Sequence, residues 1–155
     1  MTKQMDKNYD HKKYEGDIYQ KWEESGSFTP PAGRDLEESK KTFTVIMPPP
    51  NANDPLHVGH ASFATLAAPL VRFHRMLGEA TLWLPGTDHA GIETQFVFEK
   101  KLAKEGKSRF DYDRDTLYQL IWDYVQKNSD VAVDQMKKLG ASADWSRQKF
   151  TLDEN

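Results

Sequence analysis

Cysteine is absent from the sequence, which excludes disulfides and thiolate metal sites and fits a reducing compartment. The location expected on that ground is cytoplasmic. Long apolar runs are missing as well. The most apolar stretch, Ala61 to Val71, is too short to span a bilayer and contains Pro69. The N-terminus is dense in Lys, Asp and Tyr, so it does not read as a signal peptide. Positive charge is not in excess: 21 Lys and Arg stand against 24 Asp and Glu, a net of −3. That balance argues against a small basic nucleic-acid-binding module. It leaves room for nucleic acid held mostly by other parts of a larger protein. Internal repeats and low-complexity segments are also lacking.

What remains is a composition that can fold. Hydrophobic residues make up 37% and charged residues 29% of 155 positions, enough for the core of one ordinary domain. The charge is unevenly spread. Residues 1–41 carry 17 charged side chains and residues 99–155 carry 22, whereas the 57 residues from Thr42 to Phe98 carry six. This charge-poor middle also holds four of the five histidines. It is expected to be the buried heart of the domain, where each polar group needs a reason to be present.

Periodicity places the elements. Tyr14, Ile18 and Trp22 recur every four residues, which predicts an amphipathic helix over 9–26 stopped by Gly26. A loop from Thr29 to Asp35 and a charged run to Lys41 follow. Thr42 to Met47 is β-branched and apolar, and its nearly unbroken apolar character predicts a central parallel strand covered on both faces. A helix is expected from about Leu56 to Leu77, ended by Gly78 and kinked by Pro69, which removes one backbone hydrogen bond. Ala80 to Leu84 predicts a second strand. Helices follow over about Ala90 to Lys104 and Arg114 to Leu139, and a third short strand is expected within Ala143 to Leu152. Trp22, Phe28, Trp83 and Trp122 read as packing residues, and His11 and His74 as solvated. This strand–helix–strand order is the grammar of a parallel α/β sheet. Ligands bind such sheets beyond the carboxyl ends of the strands. Both strand ends here are unusual in sequence, Met47-Pro-Pro-Pro-Asn51 and Leu84-Pro-Gly-Thr-Asp-His89, and the topology points both at one crevice.

Three constellations lie there. His57-Val-Gly-His60 opens a helix, and a spacing of three puts both imidazoles on one side of its first turn. A helix N-terminus attracts phosphate, imidazoles add donors, and Gly59 leaves the backbone bare for a flat base or sugar. The group suits electrostatic stabilisation of a phosphoryl transition state; the plainer alternative is that one His caps the helix and the other packs. A metal held by His57, His60 and His89 or Asp88 is less expected, since helical zinc pairs are more often four apart. Asp88, between Gly86 and Gly91, can bind an ammonium group or a ribose hydroxyl, or can merely cap the next helix. Pro48-Pro-Pro fixes a rigid wall and Asn51 adds one donor and one acceptor beside it. That suits a small apolar amino acid; the alternative is a stiff connector.

Taken in order, these motifs resemble those of the class I aminoacyl-tRNA synthetases. The resemblance rests on Met47-Pro-Pro-Pro-Asn-Ala-Asn53, Leu56-His-Val-Gly-His60, Arg72-Phe-His-Arg-Met76, Trp83 to Gln95 and Leu139-Gly-Ala-Ser-Ala-Asp-Trp-Ser-Arg147. Tyr14 to Phe28 also looks like the family's N-terminal helix, so nearly the whole chain is covered. Thr87, where isoleucyl and leucyl relatives usually carry Trp, favours the valyl branch.

The resemblance implies the first half of a Rossmann-like nucleotide-binding fold, a parallel sheet with flanking helices over 42–155, behind an N-terminal helical extension and linker over 1–41. It implies ATP-dependent activation of L-valine, with Mg2+ accompanying ATP as substrate and no protein-bound metal, and transfer to tRNA(Val). The tRNA would be contacted mainly by regions absent here, and no membrane is involved. On this reading His57 and His60 are catalytic and bind ATP together with Gly59, while Pro49, Asn51 and Asp88 bind the amino acid. No Lys-Met-Ser-Lys-Ser type loop, editing domain or anticodon-binding domain is present, so the isolated segment is expected to be weak or inactive. The alternatives are another nucleotidyltransferase with the same histidine signature, or a nucleotide-binding module without catalysis. Asn53-Asp54-Pro55 and Pro69 depart from the family's usual pattern.

Overall fold

A computed structural model describes residues 7–32 and 41–154. The expected loop and charged run between Thr29 and Lys41 lie mostly outside the described residues. Helix α1 covers His11–Glu24. Strand β1 (Thr42–Ile46) leads through the proline loop to α2 (Val58–Met76), which ends at Gly78 with φ +76°. Strands β2 (Ala80–Leu84) and β3 (Gly86–Thr87) are separated only by Pro85, and α3 (Gly91–Lys104) follows. Helix α4 (Arg114–Lys138) is started by Asp113, whose carboxylate accepts from the N–H groups of Asp115 and Thr116. That is the usual use of a short acid at the position before a helix. Strand β4 (Lys149–Phe150) lies in the segment where a third short strand was expected.

All the pairings are parallel. β1 pairs with β2 from Thr42↔Ala80 to Ile46↔Leu84, and β3 pairs with β4 through Gly86↔Lys149 and Thr87↔Phe150. Successive residues of a strand offer their backbone groups to opposite edges. Accordingly Asp88 exchanges hydrogen bonds with Pro50 and Ala52 on the β1 side, while Thr87 accepts from the Thr151 N–H on the β4 side. The β2–β3 stretch is therefore flanked on both edges just where the candidate loops leave the sheet.

The core cluster joins Met47, Ala64, Ala67, Val71 and Trp83 to Met136, Ala141 and Ala143. Small residues at Ala64 and Ala67 let α2 lie close to the strands, and Trp83, fully buried, fills the space beneath. Pro69 sits on the exposed side of α2, which continues through it. A missing N–H is tolerated best where the freed carbonyl faces water.

Several expectations are corrected. β1 is covered on one face only: Phe43 and Val45 are half-buried, whereas Thr42, Thr44 and Ile46 are exposed, Ile46 at 70%. The outer side of α2 likewise exposes Leu66, Leu70, Phe73 and Leu77. An apolar sequence demands cover, but among the described residues nothing packs on these two surfaces to supply it. No residue of α1 is buried, and Trp22 is 43% exposed under the Arg72 guanidinium. The helix is anchored instead by Tyr19, whose hydroxyl donates to the Ala141 carbonyl and accepts from the Trp145 indole N–H. Burial of this phenol raises its pKa to about 12. His74 is not solvated: it pairs with Glu79 and stacks on Phe43, ring centroids 3.6 Å apart.

Candidate active site

The histidine turn is built almost entirely from local contacts. His57 is the N-cap of α2, in extended backbone, and its Nδ1 accepts from the Gly59 N–H at 3.0 Å. His60 Nδ1 accepts in return from the His57 N–H at 3.3 Å. The rings lie 4.0 Å apart. A neutral imidazole has one N–H and one bare nitrogen. Since both Nδ1 atoms accept, both protons reside on Nε2. The turn therefore presents two Nε2–H donors beside the positive end of a 19-residue helix. Partial burial, and then the neighbouring His57, hold the His60 pKa below its ordinary value, which favours this neutral tautomer. A side chain at position 59 would put its Cβ 2.8 Å from His57 Cε1. The bare position at Gly59 is thus what lets the His57 ring fold back over the turn.

Capping and ligand binding, set as alternatives by the sequence, are here compatible. The rings cap through one nitrogen and offer the other. The helix after Asp88 tells a different story. Its N-cap is Ala90, in the left-handed region at φ 54°, with no side-chain cap. Asp88 therefore does not cap α3. Its Oδ1 accepts from the Thr151 hydroxyl at 2.9 Å, and its side chain remains about one-third exposed. The left-handed Ala90, followed by Gly91 at φ 37°, costs about 1 kcal/mol, and such strain persists only where surrounding contacts hold it.

The proline loop runs alongside. Met47 N–H donates to the Leu84 carbonyl at 2.8 Å, Asp88 N–H to Pro50 at 2.9 Å, and Ala52 N–H to Asp88 at 2.8 Å. Asn51 and Asp88 are bridge partners, and Asn51 Nδ2 donates to Glu93 Oε2 at 2.8 Å. Pro49 is exposed and Pro50 buried. Further along, the Asn53 carbonyl accepts from the Tyr124 hydroxyl, and the Leu56 N–H donates to Gln135 Oε1. Helix α4 thus braces the loop just before His57.

The structure accordingly sets Asn51 opposite Asp88 through the bonds of Pro50 and Ala52, and joins His57 to Gly59 and His60 directly. Pro49, Asn51 and the histidine turn follow one another on the loop that leaves β1. Among the described residues no group of three His, Asp or Glu side chains gathers as metal ligands would. Sequence reasoning missed Glu93 and Thr151. Glu93 had only a faint signal, its place in the first turn of α3; Thr151, 63 residues from Asp88, had none.

Comparison with known proteins shows the family of the chain. Residues 17–155 match the family described as tRNA synthetases class I (I, L, M and V). The chain belongs to that family. Curated relatives of this class I synthetase chain include the valine–tRNA ligase of Treponema denticola, 46% identical over 97% of the chain and 16% of the relative. The valine–tRNA ligase, chloroplastic/mitochondrial 2, of Arabidopsis thaliana is 50% identical over 88% of the chain and 14% of the relative. The valine–tRNA ligase of Francisella tularensis is 43% identical over 99% and 16%. The chain thus spans about 16% of the length of most of the relatives it matches. Among solved structures, a LeuRS of Agrobacterium radiobacter, in ternary complex with tRNA and LeuAMS, superposes with a TM-score of 0.71. The match covers 94% of this chain and 16% of that one at 23% identity. It supports the fold: parallel strands with flanking helices, as in a Rossmann-like catalytic domain.

Proposed function

We propose that this chain is the ATP- and amino-acid-binding portion of a valine–tRNA ligase. A carboxylate oxygen of L-valine attacks the α-phosphorus of ATP, bound with Mg2+, and pyrophosphate leaves. A terminal hydroxyl of tRNA(Val) then attacks the carbonyl of the resulting valyl-adenylate, and AMP leaves. Most contacts to tRNA belong to regions outside this chain. In this reading residues 1–41 form an extension and linker, residues 42–155 form the N-terminal half of the catalytic domain, and the protein works in the cytoplasm. The names of the relatives and the charge-poor strand ends support it.

The observation that carries the proposal is the pair of backbone hydrogen bonds accepted by the two Nδ1 atoms of the histidine turn, which in the neutral rings leaves both protons on Nε2. Two Nε2–H donors at a helix N-terminus suit phosphate oxygens whose charge grows in the transition state. Gly59 adds no side chain of its own beside the His57 ring, and adenine would meet the turn at that ring and the bare backbone. Asp88, with Oδ1 engaged and the rest of the carboxylate accessible, takes the valine ammonium group. Asn51 and Pro49 line the pocket for the short branched side chain.

The test titrates the 155-residue chain with ATP and with a sulfamoyl analogue of valyl-adenylate. The expected result is binding of the analogue, weakened about tenfold or more by His60→Ala, the worth of one hydrogen bond to a charged group. Valine-dependent exchange of pyrophosphate into ATP is expected to be weak. Absence of binding, or binding indifferent to His57 and His60, overturns the proposal.

A further inference from the structure

Thr151 stands where no local pattern would place a functional residue, yet its hydroxyl makes three contacts within the Asp88 loop. It donates to Asp88 Oδ1 at 2.9 Å, accepts from the His89 backbone N–H at 3.0 Å, and lies 2.6 Å from His89 Nδ1. A hydroxyl has one proton and two lone pairs. An ionised carboxylate can only accept, so the proton goes to Asp88. Both lone pairs must then receive, which puts a proton on His89 Nδ1 and leaves Nε2 bare. His89 is thus held in the tautomer opposite to that of His57 and His60. The count closes with no donor or acceptor of the hydroxyl left over.

The position of Thr151 is set by the β3–β4 pairing. Gly86↔Lys149 and Thr87↔Phe150 are in register, and Thr151 N–H continues the ladder to the Thr87 carbonyl at 3.2 Å. Phe150 packs its ring edge-on against both His89 and Trp122. The packed Phe150 and the Thr151 N–H bond to Thr87 therefore fix the backbone from which the hydroxyl reaches the carboxylate.

We infer that Thr151 is a positioning residue for the amino-acid site: by engaging one oxygen of Asp88 and both nitrogens of His89 that face it, it aims the other carboxylate oxygen at the substrate ammonium group. The inference rests on the reading of Asp88 as the ammonium-binding carboxylate. A freely rotating carboxylate would have to be ordered at each binding event, and holding it beforehand removes that cost.

The test uses the 155-residue chain and two ligands, the sulfamoyl analogue of valyl-adenylate and the same molecule with hydrogen in place of its amino group. Thr151→Val is expected to weaken the amino-bearing ligand by up to about tenfold, the cost of ordering one free side chain at each binding event, and to leave the deaminated ligand within about twofold. Thr151→Ser, which keeps the hydroxyl, is expected to restore most of the loss. Nitrogen-15 spectra should show His89 protonated at Nδ1 in the parent and in Thr151→Ser, whereas in Thr151→Val that proton is left to Asp88 Oδ1, 3.4 Å away, and its resonance should shift. Equal weakening of both ligands, or no rescue by serine, shows a structural role only and overturns the inference. Asp88→Asn separates the two readings. A loss there with none in Thr151→Val overturns the role of Thr151 alone; no loss in either overturns the reading of Asp88, and this inference with it.

Discussion

The two halves of the candidate site are assembled in opposite ways. The histidine turn is held by contacts across two and three residues, between His57, Gly59 and His60, and would take much the same shape wherever α2 begins. The Asp88 loop depends on partners far away in the chain: Asn51 and Pro50 on one edge, Thr151 on the other. Local geometry is cheap to form and hard to disturb from a distance. Geometry that converges from three segments is accurate only while the sheet and core hold those segments in register.

That contrast can be broken most severely from the core. Trp83→Ala removes the largest fully buried side chain, on β2, the strand that leads through β3 to Asp88. It is expected to cost about 3–5 kcal/mol, read as a lower midpoint in urea unfolding. Asp88→Asn should leave the unfolding midpoint nearly unchanged but weaken the valyl-adenylate analogue about a hundredfold. That is on the order of 2–3 kcal/mol for a charged hydrogen-bond partner, and calorimetric titration measures it. ATP binding should be spared, and its loss would mean that the two halves are not separable.

The histidine turn allows finer cuts. His57→Ala should lose the cap and destabilise the chain by about 1 kcal/mol, whereas His57→Asn keeps a capping side chain and should recover most of that stability. Both should bind ATP less well, because neither retains the Nε2–H donor. If His57→Asn binds ATP like the parent, the histidine is a cap and nothing more. Gly59→Ala sets two effects against each other. Alanine improves helix propensity by about 1 kcal/mol, while its Cβ would displace the His57 ring and cost a similar amount of capping. Little net change in stability is expected, with a clear shift of the His57 ring resonances.

The smallest effect concerns pH. Burial holds the His60 pKa below its ordinary value, so the folded chain binds a proton there less readily than the unfolded chain. The stability this contributes is present in full above the ordinary imidazole pKa, about 6.5, and is lost as pH falls through the lower folded value. Unfolding midpoints should therefore decline on acidification through that range, and the His60→Ala variant should show a shallower decline.

Much of this was legible beforehand, for identifiable reasons. Glycines at 78 and 140 mark helix ends through local backbone chemistry, so those boundaries read directly from sequence. The histidine pair and the convergence of the two strand-end loops were legible too, because periodicity and βαβ order determine them. The fate of Asp88 was not. Two glycines around an acid before a helix fit capping as well as ligand binding, and only the left-handed N-cap at Ala90 excludes the cap, while the Thr151 hydroxyl shows what the carboxylate touches instead. Nor could periodicity show that His74 pairs with Glu79 or that Tyr19, rather than the Tyr14–Ile18–Trp22 stripe, anchors α1.

The sequence by itself determined the main helices and the strands other than β3, their order, the parallel pairing and the composition of the histidine turn. All of these follow from interactions within a few residues or from the period of the apolar pattern. The tertiary structure alone decided which faces are covered and what the Asp88 carboxylate touches. Ile46 and Leu66 look like core residues in sequence yet are exposed among the described residues, while Thr151 looks like an ordinary tail residue yet holds Asp88. Burial and long-range hydrogen bonding depend on what lies opposite a side chain, and linear spacing carries no record of that.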